Sequence, residues 1–169
     1  VGVVGAGYWG PKLIRNLHDL PTANVSHVCD TRQDRLEHIR RLYSDVIATT
    51  DYDELLASDT QAVVVATPVA THYPLACAAL KAGKHVLVEK PLTASVAEAE
   101  SLVALAREQK RILMVGHTFE YNPAVIMLKD MVASGKLGQI YYINTTRVNL
   151  GIFQRDINVV WDLAPHDLS

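Results

Sequence analysis

Three stretches of the chain pair residue types and spacings that could do chemistry. The first is Gly5, Gly7 and Gly10 in a G-x-G-x-x-G spacing, with Tyr8 and Trp9 inside it and Pro11 behind it. Glycines so spaced allow a tight turn off a strand, close approach of backbone to a pyrophosphate, and close packing of the helix that follows. The N–H groups at the helix start then face the phosphates. Pro11 suits a first helical turn, where its missing N–H costs nothing. Three glycines in six residues also mark plain turns, but Asp30 stands twenty residues beyond Gly10 after a second apolar run. A carboxylate there can accept hydrogen bonds from the adenosine ribose hydroxyls of a bound dinucleotide. It repels a 2′-phosphate, which favours NAD over NADP, while Arg32 and Arg35 nearby soften that preference. The plainer alternative for Asp30 is a strand-end turn residue or helix cap, and the glycines ahead of it favour the dinucleotide reading.

The second stretch is Glu89-Lys90-Pro91. A lysine ammonium beside a substrate hydroxyl lowers that hydroxyl's pKa and orients it. A surface ion pair before a turn would leave the same letters. The third is Asp162-Leu163-Ala164-Pro165-His166. A helix beginning near Asp162 puts Asp162 and His166 at i and i+4 on one face, with Pro165 tolerated in a first turn. An imidazole, with its pKa of ~6.5, can take a proton from an alcohol at neutral pH, and the carboxylate can fix its tautomer. An Asp N-cap followed by an unrelated His is the plainer alternative. Thr67-Pro68, with His72 after it, is a further candidate that a simple strand-to-helix turn would also explain.

These residues need elements to carry them, and the pattern supplies alternating strands and helices. Val1, Val3 and Val4 read as a strand buried on both faces. Lys12–Leu20 reads as a helix stopped by Pro21, Val25–Cys29 as a strand, and Gln33–Tyr43 as a helix with Leu36, Ile39 and Leu42 on one face. Val46–Ala48, Ala62–Ala66, His85–Val88 and Ile112–Gly116 read as strands. Asp51–Ala57, Tyr73–Ala82 and Ser95–Lys110 read as helices, the second stopped by Gly83 and the third started by a Ser95/Glu98 capping box. The order argues an α/β fold, a Rossmann-type doubly wound parallel sheet over residues 1–120. In such a sheet ligands bind outside the carboxyl ends of the strands, where Gly5–Gly10, Asp30, Thr67-Pro68, Glu89-Lys90-Pro91 and His117 all fall.

Beyond residue 120 the pattern changes. Pro123–Ser134 reads as a helix, Ile140–Val148 as a strand of a second sheet, Leu150–Asn158 as loop, and a new helix begins near Asp162. One strand and one helix do not make a stable domain. Residues 121–169 therefore read as the incomplete start of a second domain.

Composition bounds the rest. The chain has 169 residues, 49% of them hydrophobic, and a formal charge of −2, which gives no reason to expect nucleic acid or an anionic membrane as a partner. No apolar run approaches the roughly 20 residues a membrane helix needs. Cys29 and Cys77 form neither a disulfide framework nor a C-x-x-C pair, so a cytoplasmic setting is expected. His18, His27, His38, His72, His85 and His117 form no metal-binding pair of the H-x-x-x-H type, so no metal site is expected. Asn24-Val25-Ser26 and Asn144-Thr145-Thr146 match glycosylation acceptors by chance, and Tyr8 with Lys12 forms a Y-x-x-x-K spacing that straddles the phosphate turn, far from any nicotinamide.

GAGYWG at 5–10, ATPVATH at 66–72, EKP at 89–91, GHTFEYNP at 116–123 and DLAPH at 162–166 occur in the order found in the Gfo/Idh/MocA oxidoreductases, and the chain resembles that family from end to end. The resemblance implies that Lys90 is an active-site lysine near the nicotinamide and the reacting hydroxyl. It implies that His166 is the proton acceptor and Asp162 its partner and a substrate contact. It implies that Thr67, Pro68, His72 and Glu89 line the nicotinamide half of the cofactor site, beside the turn of Gly5, Gly7, Tyr8, Trp9 and Gly10 with Asp30. A cis Lys90–Pro91 peptide, a homo-oligomer of the full-length protein and an α/β substrate domain starting in residues 121–169 are further implications. The expected activity is an NAD-dependent dehydrogenase acting on a secondary alcohol of a sugar, nucleotide sugar or cyclitol. An NAD-using glycoside hydrolase of the same family and a non-enzymatic NAD- or sugar-sensing protein are the alternatives.

Overall fold

The computed structural model describes residues 1–146 and 158–168. In chain order the elements are β1 (Gly2–Val4), α1 (Gly10–His18), β2 (His27–Cys29), α2 (Gln33–Leu42), β3 (Ile47–Thr49), α3 (Tyr52–Ala57), β4 (Ala62–Val65), α4 (His72–Lys81), β5 (His85–Val88), α5 (Val96–Glu108), β6 (Leu113–Val115), α6 (Pro123–Ala133), α7 (Val159–Leu163) and α8 (Pro165–Leu168). Single 3₁₀ turns at Val69–Thr71 and Thr118–Tyr121 follow β4 and β6.

The six strands form one parallel sheet in the order β3-β2-β1-β4-β5-β6. Their short β-branched sequences suit burial on both faces, and alternation divides them between two cores. Val4, Val63 and Val65 face one cluster with Leu55, Ala76, Ala79, Leu80 and Leu102. Val3, Val28 and Val64 face the other with Ile14, Leu36 and Ile39. Helices α3, α4 and α5 thus cover one face and α1 and α2 the other, the doubly wound arrangement that the alternation of strands and helices implies. The chain order reverses between β1 and β4, and there the strand exits lie side by side. Local signals act as their types dictate. Ser95 Oγ accepts the Glu98 N–H at 3.3 Å at the head of α5, and Gly83, at φ +73°, stops α4.

The chain divides into two compact units, Val1–Val115 and the residues from Gly116 onward. In the second unit two sequence expectations are corrected. Residues 140–146 are not a strand, because none among the described residues lies beside them to complete a ladder. The rest of the expected strand and most of the expected loop at 150–158 lie outside the described residues. No helix starts at Asp162 either. Asn158 caps α7, its Oδ1 accepting the N–H groups of Val160 and Trp161 at 3.1 Å each. Asp162 sits inside α7, the chain turns at Ala164, and Pro165 opens α8. Asp162 and His166 thus belong to two successive short helices, since Pro165 has no N–H to extend α7.

Candidate active site

The parallel sheet places every strand exit of the first unit on one edge, and backbone hydrogen bonds stitch those exits together. Gly5 N–H donates to the Cys29 carbonyl at 2.8 Å, Ala66 N–H to Val4 at 2.8 Å, and Glu89 N–H to Val65 at 2.9 Å. The loops after β1, β2, β4 and β5 are therefore held in contact at the carboxyl edge.

The turn Gly5–Gly10 is built for absent side chains. Gly5 has φ +96°, and a Cβ there would lie 2.5 Å from the Ala66 carbonyl oxygen. A Cβ on Gly10 would lie 1.9 Å from the Gly5 carbonyl oxygen, so only glycine lets α1 start this close to β1. At Gly7 the nearest atoms to such a Cβ belong to the Arg35 guanidinium, at 3.5 Å and beyond. No side chain caps α1, so its first-turn N–H groups are not engaged by one. Tyr8 and Trp9 are exposed, their rings edge to face at 5.4 Å, and Lys12 Nζ lies 3.7 Å and 4.2 Å from the two ring centroids. The Y-x-x-x-K spacing thus serves a cation–π contact. A narrow glycine cradle facing uncapped helix N–H groups fits the pyrophosphate of a dinucleotide.

Asp30 follows β2 and is 6% exposed. Its Oδ2 accepts the Ala6 N–H at 2.7 Å and Arg35 Nη1 at 3.2 Å, and its Oδ1 accepts the Arg32 N–H at 2.9 Å. The carboxylate therefore holds the glycine turn from the exit of β2. Arg32 is itself ion-paired with Asp34. Arg35 closes an ion pair with Asp30 against Gly7, a contact that spacing along the chain does not reveal.

At the exit of β4, Thr71 Oγ1 lies 2.8 Å from Thr67 Oγ1 and 2.7 Å from the Pro68 carbonyl. His72 is 1% exposed and lies between two carbonyl oxygens, Nε2 2.8 Å from Thr67 and Nδ1 2.8 Å from Pro91. At the exit of β5 the Lys90–Pro91 peptide is cis. Glu89 Oε2 accepts the Lys90 N–H at 3.3 Å. Burial pushes the Glu89 carboxyl above its usual range, against the opposing pull of that hydrogen bond and of the Lys90 and His72 charges. Thr67, Pro68, His72, Glu89 and Lys90 thus form one cluster beside the glycine turn and Asp30.

In the second unit, the ring of His166 packs on that of Phe119, centroids 4.9 Å apart at 45°. Asp162 and His166 are both half-buried. His117 opens the segment after β6, and its Nδ1 is buried with no hydrogen-bond partner among the described residues. The Phe119 contact was not legible in the sequence, because the two rings lie 47 positions apart. Among the described residues no group of three or more His, Cys, Asp or Glu could hold a metal ion, and no helix is long and apolar enough to cross a membrane.

A family model described as an oxidoreductase family with an NAD-binding Rossmann fold matches residues 1–117. The UDP-N-acetylglucosamine 3-dehydrogenase of Acidithiobacillus ferrooxidans is 31% identical over 99% of this chain and 51% of its own length. A mutant 3-ketoreductase from Actinomadura kijaniata, solved with TDP-benzene and NADP, superposes with a TM-score of 0.76 at 33% identity, over 82% of this chain and 43% of that one. GenD2 from gentamicin A biosynthesis, solved with NAD, superposes with a TM-score of 0.76 at 36% identity, over 80% and 39%. The chain spans about half the length of the curated relatives it matches.

Proposed function

The chain belongs to the Gfo/Idh/MocA oxidoreductase family, with its NAD-binding Rossmann fold, and from that premise we propose that the whole protein is an NAD-dependent dehydrogenase. Its substrate is a secondary alcohol of a sugar, nucleotide sugar or cyclitol. The observation that carries this reading is the cluster at the sheet edge: a glycine cradle, a buried Asp30 tied to it, and Lys90 at the exit of β5. The names of two relatives, a UDP-N-acetylglucosamine 3-dehydrogenase and a dTDP-hexose 3-reductase, support the substrate class.

NAD is the preferred cofactor in this proposal. Asp30 presents a carboxylate where a 2′-phosphate would stand, and both neighbouring arginines are engaged by carboxylates, Arg35 by Asp30 and Arg32 by Asp34. The N–H groups at the head of α1 hold the pyrophosphate. When bound, the nicotinamide supplies hydride-transfer chemistry. Lys90 donates a hydrogen bond to the substrate oxygen and stabilises negative charge on it. His166 takes the hydroxyl proton, and Asp162 orients the imidazole and contacts the substrate. The Phe119 ring restricts the His166 imidazole from one side. Residues from 121 onward begin the substrate domain, and the family resemblance extends the proposal to a cytoplasmic homo-oligomer.

The test is a panel of sugars, nucleotide sugars and cyclitols incubated with the full-length protein and NAD, read by absorbance of reduced cofactor. Stoichiometric reduced cofactor with at least one alcohol is expected. Release of free sugar from a glycoside with no net reduced cofactor would select the hydrolase alternative. On the substrate found, Lys90→Ala and His166→Ala should each lower kcat by about 100-fold or more with NAD affinity little changed, since each acts on the reacting oxygen.

A further inference from the structure

His72 has no role in the steps above, yet it is among the most buried polar side chains of the chain, and its contacts are unusual. Both ring nitrogens lie 2.8 Å from backbone carbonyl oxygens, those of Thr67 and Pro91. A carbonyl oxygen only accepts hydrogen bonds, and a neutral imidazole carries one N–H. In either neutral tautomer one bare nitrogen would face an oxygen lone pair at hydrogen-bond distance, with 1% exposure leaving no water to separate them. Turning the ring over would put carbon against both oxygens instead. A ring bearing hydrogen on both nitrogens is the one form that satisfies both contacts.

We infer that His72 is an imidazolium brace that clamps the exit of β4 to the exit of β5 and so positions Lys90. The two carbonyls belong to the loops that flank the cluster at the sheet edge. The Pro91 carbonyl belongs to the residue directly after Lys90, so a contact at that atom fixes the backbone from which the lysine side chain extends. A buried cation needs opposing charge, and Glu89, which accepts the Lys90 N–H in the loop that His72 holds through Pro91, is the carboxylate assigned to it. His72, Glu89 and the Lys90 backbone thereby form one linked set. His72 is a positioning residue here, since its nitrogens are taken by carbonyls of this chain.

The charge state stands on geometry alone. The positioning role rests on the proposed part of Lys90 in the dehydrogenase. The experiment separates the two. In the full-length protein labelled with 15N-histidine, long-range proton–nitrogen correlation spectra at neutral pH read both ring nitrogens of His72 without any substitution. Two protonated nitrogens are expected, and one bare nitrogen overturns the inference. His72→Gln, which reaches one carbonyl at most, should shift the Lys90 and Leu92 amide signals while leaving those of β2 in place. Unmoved Lys90 and Leu92 signals overturn the brace. In turnover, His72→Gln should lower kcat about 10- to 100-fold with cofactor affinity unchanged, the cost of a displaced catalytic group. A loss of NAD affinity with kcat intact would instead put His72 at the cofactor and overturn its positioning role. Wild-type kcat in Lys90→Ala would defeat the dehydrogenase reading. The brace would then stand or fall on the spectra, which need no turnover.

Discussion

Asp30 has a structural job and a proposed cofactor job on one carboxylate, and they can be separated experimentally. It accepts the Ala6 N–H inside the glycine turn while paired with Arg35, and in the proposed function it meets the ribose. Asp30→Ala leaves a buried N–H without its acceptor and a guanidinium without its partner. A loss of about 1–3 kcal/mol in folding stability is expected from the orphaned donor, together with weaker NAD binding. Asp30→Asn keeps an acceptor for Ala6 but turns its NH2 toward the Arg32 N–H, so it should recover part of the stability while still losing NAD preference. Denaturant melts and cofactor titrations read the two effects, and a stability loss in the Asn variant equal to that in the Ala variant would refute the separation. The adjacent Cys29 gives a pH prediction. Burial first, then the Asp30, Asp51 and Glu54 carboxylates, push its thiol up to about 11. Its folded value lies above the ordinary 9.0, so the stability it contributes is complete below that range and is lost as pH rises through about 11. Peptide mapping after iodoacetamide treatment at mildly alkaline pH should find Cys77 modified and Cys29 protected until the protein unfolds. Equal modification of the two would contradict the burial assigned to Cys29.

Among the elements, the β1 turn into α1 tolerates least change. Gly10→Ala would drive a Cβ to 1.9 Å from the Gly5 carbonyl oxygen, and both atoms belong to backbone that cannot swing aside. Overpacking of this kind costs about 3 kcal/mol or more. Gly83→Ala is the control: there φ is +73°, but the nearest atom is the end of a flexible Arg111 side chain at 3.5 Å. It should cost about 1–2 kcal/mol from backbone conformation alone. Similar denaturation midpoints for the two variants would count against the close packing of α1 on β1. These turns were legible in the sequence because their causes are local: β-branched runs, glycine spacing, a Ser95 cap and a Gly83 stop. The carboxyl-edge cluster was legible too, since a parallel sheet puts all strand exits on one side. What the sequence hid depends on distant partners. His72 meets Pro91 across 19 positions, and Phe119 meets His166 across 47. The alternation in Ile140–Val148 reads as a strand, but a strand exists only where another pairs with it. Asn158 holds the cap that the sequence left open to Asp162, because Asn158 lay in a stretch that reads as loop.

At the scale of the whole molecule, the first unit buries two apolar cores. Among the described residues of the second, helix α6 buries none of its own, with Met127 and Leu128 both more than half exposed. The proposed cofactor site lies on the first unit, so cofactor binding should report on that unit's folding. A ligand bound only by the folded state, at about 100 times its Kd, adds about 2.7 kcal/mol. For a unit of this size that raises Tm by roughly 10 °C. NAD should produce such a shift in the full-length protein, and NADP at the same concentration a much smaller one, because its 2′-phosphate must approach the Asp30 carboxylate. Asp30→Ala removes that repulsion and uncouples Arg35, which should reduce the NAD shift, raise the NADP shift and bring the two together. Differential scanning fluorimetry with both cofactors and both proteins measures all four shifts. An NADP shift as large as that of NAD in the unmodified protein would mean that Arg35 leaves Asp30 for the phosphate, and NAD preference would then have to be abandoned while the glycine cradle kept its role.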